Sequence, residues 1–352
     1  MPGAGDDMNT SREDRELRAY VAAYTDETRA LRPAAIPRRQ PPPYAALSHG
    51  AGGIAYMYGY LDDHRRARQW LDALLADRRR DAYAIEDHPQ ATSALLYGRA
   101  GLHWLSAWLG GPRRERSIAT FVQLAGRSTD TLDFMSGIPG LLAGARSLLA
   151  REPHARLHAR ARELASAILA RVRRRRAWRS VDAFGFAHGW PGALSSLLAW
   201  LEHAREQPPR WLVASLDRLR RAWSPNDVPD PDFAASWCNG AAGTVLLWTR
   251  AFAVCGDEAF LVAARAAARF AIAADEQRNY VCCGRAGIAH ALGTLAQYDR
   301  RESWIVAARR LVLAAVRPQP MAWPNGLLLG HPGIVCLAGA LARDQLPALP
   351  IA

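Results

Sequence analysis

Seven times along this 352-residue chain a Gly-x-x-Gly pair opens an apolar run, and this recurrence limits the possible folds more than any other feature. The pairs are Gly50/Gly53, Gly98/Gly101, Gly137/Gly140, Gly189/Gly192, Gly240/Gly243, Gly284/Gly287 and Gly330/Gly333. Their first glycines stand 48, 39, 52, 51, 44 and 46 residues apart, which leaves room for two helices and two connections per unit. Between pairs, stretches such as Ala155–Ala177 and Glu258–Ala274 place apolar residues at i, i+3, i+4 and i+7 with arginines opposite, the pattern of an amphipathic helix. The runs after the second glycines, such as Ala193–Leu201 and Thr244–Phe252, are apolar nearly all round and read as buried helices. Each unit is therefore expected to be a hairpin of one inner and one outer helix. The first glycine is expected to use φ > 0, and the second to let the helix pack closely on its neighbour. The fold class is all-α. Such hairpins also build open solenoids, but a closed α/α toroid of about seven hairpins fits better, because neither end reads as a polar cap.

Half of the residues are hydrophobic, enough for one sizeable core, and the repeats run without a break, so no boundary is drawn among them. The domain is expected over residues 45–352, preceded by a polar and proline-rich extension, residues 1–44. Residues 1–16 are polar and expected to fray, and Leu31–Tyr44 contains five prolines and is expected to be an extended strap, not a helix. No segment has the roughly 20 unbroken apolar residues of a membrane span. The first residues also lack a basic stretch followed by an apolar one, so a cytoplasmic location is expected.

The formal charge of +12 is carried without a single lysine: all 45 basic residues are arginine. Most are expected to be solvated on outer helix faces, with a surface for an acidic partner such as a peptide leader as the functional reading. The cluster Arg171–Arg176 beside Trp178 comes without a nucleic-acid motif, so nucleic acid is not an expected partner.

The five cysteines are an odd number without a signal peptide, which points to reduced thiols. Cys255 and Cys336 lie in apolar helical runs and read as small core residues. Cys238, Cys282 and Cys283 differ, because each stands one or two residues before the first glycine of repeat five or six. If all such loops sit at one end of the toroid, three thiols 44 residues apart in sequence meet there, a soft donor set suited to Zn²⁺. Three ligands with an open fourth position is the pattern of catalytic zinc; a fourth ligand from His188, His290 or His331 would make the site structural. His188 and His49 hold the same place in repeats four and one, and Asp133 lies four residues before Gly137.

Trp237-Cys238-Asn239-Gly240 followed by Ala-Ala-Gly, Cys282-Cys283-Gly284, His188-Gly189 and Asp133 ahead of Gly137 resemble the lanthionine synthetase C-like (LanC-like) cyclases. The resemblance runs over about residues 45–345 and all seven repeats. It implies an α/α toroid with a central zinc that closes thioether rings by adding a peptide cysteine to dehydroalanine or dehydrobutyrine. By motif, Cys238, Cys282 and Cys283 would bind the zinc, His188 would be the acid/base residue, and Asp133 would assist protonation. The partners implied are a dehydrated precursor peptide, with leader and core, and a separate dehydratase or kinase/lyase enzyme.

Two positions depart from the family pattern. The usual Cys-His-Gly is here Cys-Cys-Gly, and the usual arginine four residues before the first zinc cysteine is Ala234, with Arg285 as a candidate substitute. A third thiolate gives a ligand set of charge −3, so an activated substrate thiolate is expected to keep more nucleophilic character, attacking faster with looser control of which ring forms. Addition of glutathione or another free thiol, and a non-catalytic zinc scaffold that docks a peptide, stay open as alternatives. Carbohydrate chemistry would need paired carboxylates, for which only Asp133 and Asp182 are candidates.

Overall fold

The computed structural model describes residues 11–38, 40–77, 83, 93–127, 131–174, 185–224, 228 and 230–349. Among these, regular structure is helical throughout. The helices are α1 (Arg12–Ala30), α2 (Gly52–Tyr60), α3 (His64–Ala76), α4 (Arg99–Trp108), α5 (Arg114–Ala125), α6 (Ile138–Leu149) and α7 (Ala155–Arg174). They continue as α8 (Trp190–Ala204), α9 (Arg210–Ala222), α10 (Ala241–Cys255), α11 (Glu258–Ala273), α12 (Arg285–Ala296), α13 (Glu302–Ala315) and α14 (His331–Leu341).

The even-numbered helices form the inner layer. Each packs on the next, and α14 packs on α2, so the inner layer closes on itself into an α/α toroid. These helices are apolar all round because both of their sides are covered: in α10, Val245, Leu246, Leu247 and Trp248 are all buried. Burial of each such side chain stabilises the fold by about 1.5–3 kcal/mol relative to exposure. The outer layer shows the expected single apolar stripe; α11, for example, buries Phe260, Leu261, Ala264, Ala267, Ala268 and Ala271.

The outer partner of α14 is α1, from the other end of the chain. Ser11 caps α1 by accepting the Asp14 N–H at 3.1 Å, and Leu17, Tyr24 and Thr28 face the core. Tyr20 Oη lies 2.9 Å from His331 Nδ1, and Thr28 Oγ1 lies 2.8 Å from Tyr58 Oη. The expectation of frayed residues 1–16 therefore fails for Arg12–Glu16, while residues 1–10 lie outside the described residues. Leu31–Tyr44 is not extended throughout either: Pro33–Arg38 forms a 3₁₀ helix, since the φ that proline fixes suits a tight helical turn as well as a strap.

The first glycines work differently from the expectation. Gly98, Gly137, Gly189, Gly240, Gly284 and Gly330 are the N-caps of their inner helices, with φ between −110° and −137°. Positive φ is therefore not their reason. Steric closeness is: a Cβ on Gly240 would run into the Ala234 carbonyl oxygen, and one on Gly284 into that of Arg278, six residues earlier in each case. The second glycines allow close packing, as expected: a Cβ on Gly243 would meet the Trp237 carbonyl oxygen and the Phe186 side chain of the neighbouring loop. The loop folds back over the first helical turn so tightly that no side chain fits. Gly243→Ala is accordingly expected to cost about 1–3 kcal/mol, measurable as a lower denaturant midpoint. An unchanged midpoint would refute this steric account.

Candidate metal and acid/base site

The loops that precede the inner helices are joined edge to edge at the helix N-terminal mouth. Phe134 N–H donates to Ala187 C=O at 2.9 Å, Ala187 to Cys238 at 2.9 Å, Cys238 to Cys282 at 3.0 Å, and Cys282 to Leu328 at 2.8 Å. Leu328 N–H in turn donates to Ser48 at 3.0 Å and Ser48 to Leu96 at 3.1 Å, linking the last repeat to the first. This belt of backbone hydrogen bonds turns equal positions in sequence into neighbours in space. It places Cys238 beside Cys282, with Cys283 one residue further on.

Cys238 Sγ lies 3.1 Å from Cys283 Sγ, and Cys283 Sγ lies 3.2 Å from Cys282 Sγ. All three sulfurs fall within 4.8 Å of one another. Phe134, Phe186 and Trp237 form an aromatic floor on the same loops, with ring centroids 5.0 Å apart for the two phenylalanines and 5.2 Å for Phe186 and Trp237. Ser236, fully buried, lies 3.4 Å from Cys238 Sγ through its Oγ, which also accepts the Asn239 N–H at 3.1 Å. The thiols share protons unequally. Hydrogen bonds from Cys282 and then Cys283 hold Cys238 well below the ordinary thiol range despite its burial, while the same contacts with Cys238 push Cys282 and Cys283 up.

On the neighbouring loop His188 Nδ1 lies 2.6 Å from Asp133 Oδ2, and the other carboxylate oxygen accepts the Ser136 N–H at 2.7 Å and its hydroxyl at 2.8 Å. Burial works to raise the Asp133 carboxyl, but the bonds from His188 and Ser136 outweigh it and hold the pKa low. For His188, burial works downward, yet the Asp133 bond and charge, with the Cys238 charge, keep the imidazole above its ordinary value. The His188 side chain remains 43% exposed, so a molecule in the mouth can reach it.

A family model described as lanthionine synthetase C-like protein matches residues 42–347. The chain belongs to the lanthionine synthetase C-like family. Among solved structures, nisin cyclase aligns with a TM-score of 0.65 over 95% of this chain and 95% of that one, at 13% sequence identity. That likeness shows a shared fold and nothing finer. No curated protein matches in sequence.

The residues present fit a zinc ion. Sulfurs about 2.3 Å from a tetrahedral centre stand about 3.8 Å apart, a spacing that lies between the shortest sulfur pair, 3.1 Å, and the 4.8 Å limit of the cluster. Three soft donors on rigid backbone also match the metal chemically. Among the described residues no fourth histidine, cysteine or carboxylate joins the cluster. The histidines considered for such a ligand lie outside the cluster: His290 Nδ1 accepts the Leu349 N–H at 3.1 Å, His331 Nδ1 lies 2.9 Å from Tyr20 Oη, and His188 Nδ1 lies against Asp133. His49 lies 2.7 Å from Ser48 Oγ through Nδ1 and packs edge-on against Tyr97 and Trp323. Burial and then the His188 charge push its pKa to about 4, so it stays neutral.

Arg285 does not take the place of the arginine missing at Ala234. Its guanidinium donates to Gln277 C=O at 3.1 Å, to Asn279 Oδ1 at 2.9 Å and to Gln277 Oε1 at 3.0 Å, securing its own loop. Arg278, four residues before Cys282, is the arginine whose charge acts on Cys283; Glu276 and the Phe233 ring, 4.6 Å from its guanidinium, hold it in place. Tyr97 also faces the cluster. Burial, then the charges of Cys282, Asp133, Cys238 and Cys283, push its phenol well up. Its position directly before Gly98 is the one His188 holds before Gly189, so the repeat register could have revealed it. Asp182 lies outside the described residues.

Proposed function

We propose that this chain is a zinc-dependent cyclase that adds peptide cysteine thiols to dehydroalanine or dehydrobutyrine, forming lanthionine or methyllanthionine thioether rings. The observation that carries this reading is the convergence of three thiols and a His–Asp pair at one mouth of a LanC-like toroid. Cys238, Cys282 and Cys283 would hold the metal. Zinc bound there supplies Lewis acidity that brings a substrate thiol's pKa into the neutral range.

Thioether formation makes a C–S bond at the β-carbon and breaks the Cα–Cβ π bond, moving charge onto the amide as an enolate. The α-carbon then takes a proton, and the thiol's own proton leaves to solvent, so the product is an isomer of the substrate. Asp133, by accepting from Nδ1, fixes the His188 tautomer and leaves proton transfer to Nε2. Because the pair raises the His188 pKa, the imidazole is protonated more often near neutral pH and can deliver that proton. The apolar floor of Phe134, Phe186 and Trp237 keeps one side of the mouth dry and leaves the sulfurs facing the substrate side. We read the substrate as a precursor peptide already dehydrated by a separate enzyme, and the site of action as the cytoplasm. No described helix is long and apolar enough to cross a membrane.

The test is incubation of the purified chain with a dehydrated precursor peptide, followed by alkylation of remaining thiols and mass analysis. Cyclisation leaves the mass unchanged while alkylatable thiols disappear. A mass increase of one glutathione per event, when glutathione is present, would transfer the reading to free-thiol addition. Unchanged peptide thiols together with no added mass in either experiment would leave a peptide-docking scaffold.

A further inference from the structure

At the opposite mouth of the toroid, where the inner helices end, lies a second cavity of about 690 Å³. It is lined by the C-terminal halves of α2, α4, α6, α8, α10 and α12 and by the segment that follows α14. Three arginines converge on it, with one carboxylate among them. Arg250 pairs with Glu202 and donates to Tyr298 Oη at 3.1 Å, and Arg151 lies 4.8 Å over the Trp108 ring. Arg146 differs from both. Its Nε is buried without a hydrogen-bond partner, and among the described residues its guanidinium forms no ion pair.

Arginines near helix C-termini ordinarily offset the partial negative charge of the last carbonyls. Among the described residues Arg146 makes no bond to those carbonyls, so that role leaves its donors unused. Arg146 is half-buried; a buried donor such as its Nε is costly without a partner, and the planar guanidinium fork suits a carboxylate or phosphate. Burial and then the charge of Arg250 lower the Arg146 pKa, and the Glu202 carboxylate, which pairs with Arg250, offsets this only in part. The volume lies in the range of sites for organic ligands and is far larger than one inorganic ion needs.

We infer that this second mouth is a binding site for an acidic peptide segment, whose carboxylates pair with Arg146 and Arg250 while its body lies against Trp108. Peptide as the occupant rests on the function proposed above, since a peptide substrate brings its own flanking residues to the toroid. The wall already accommodates peptide backbone: Tyr60 Oη donates to Ala348 C=O at 3.4 Å, and the Leu349 N–H donates to His290. The site is separate from the thiol cluster, so binding and thioether chemistry can be lost independently.

The experiment is fluorescence anisotropy with a short labelled glutamate-rich peptide, its glutamine counterpart, and inorganic phosphate as competitor, on the full zinc-loaded chain. The glutamate peptide is expected to bind one per chain, more weakly as salt rises, and the glutamine peptide not to bind. Arg146→Gln should weaken binding about tenfold or more, while Arg156→Gln/Arg162→Gln, which removes charge from exposed positions of α7, should not. A thermal melt verifies that each variant is folded, and Arg146→Lys, which keeps charge but loses the fork, should fall between. Cys238→Ala should bind the peptide normally, separating this site from the proposed cyclase centre. Equal binding by Arg146→Gln and wild type would overturn the proposal. So would absent peptide binding, or phosphate alone binding in an Arg146-dependent way.

Discussion

His188→Ala is expected to slow thioether formation by about 10²–10⁴-fold, the usual contribution of a positioned general acid. The enolate left by thiolate attack must be protonated at carbon, and His188 is the exposed titratable group of the mouth whose ring is fixed by a carboxylate. The groups acting on it are Asp133, the Cys238 thiolate and His49, of which His49 is neutral. Asp133→Asn removes the interaction that raises the His188 pKa, so the variant's imidazole titrates at lower pH. The acid form is present below the folded pKa and is lost as pH rises through it. The alkaline limb of the rate profile should therefore move to lower pH in Asp133→Asn, with the zinc content unchanged. A profile that falls in amplitude without shifting would assign Asp133 a purely structural role and contradict the acid assignment.

Cys238→Ala carries the other large effect: complete loss of ring closure together with loss of bound metal. Cys238 is the thiol whose ionised form hydrogen bonds from Cys282 and Cys283 favour, and it bridges the belt to Cys282 through its backbone N–H. Its replacement leaves two sulfurs on a single loop, too few donors for tight zinc binding. Cys283→His makes the complementary prediction. An imidazole there keeps three ligands but lowers the ligand charge, so zinc should stay bound while thiol attack slows and ring selection tightens. Faster cyclisation by Cys283→His than by the wild type would contradict the role given to the third thiolate.

Much of the site is legible in the repeat register, because a hairpin toroid maps a fixed offset from glycine onto a fixed place at one mouth. That is why Cys238 and Cys283, 45 residues apart, can be placed together from sequence and stand with sulfurs 3.1 Å apart. The same register points to Tyr97, directly before Gly98, although its phenol belongs to no motif. The role of α1, by contrast, is hidden. Charged side chains crowd its sequence and only Leu17, Tyr24 and Thr28 are buried, so it reads as a solvated tail until α14 is seen to need an outer partner. For the first glycines the sequence shows the place but not the reason, since a clash with a carbonyl six residues back depends on how the loop folds over the helix and no backbone preference announces it. Arg146 is one arginine among 45 in the sequence; only its unpartnered Nε in a cavity distinguishes it.

The measurement that bears most directly on the central claim is zinc content per chain, in reduced and chelator-free protein, for the wild type and Cys283→Ala. The three-thiol centre predicts about one zinc in the wild type and little or none in the variant, with both chains folded by circular dichroism. Wild-type protein free of zinc, or a variant that keeps its full complement, would contradict it.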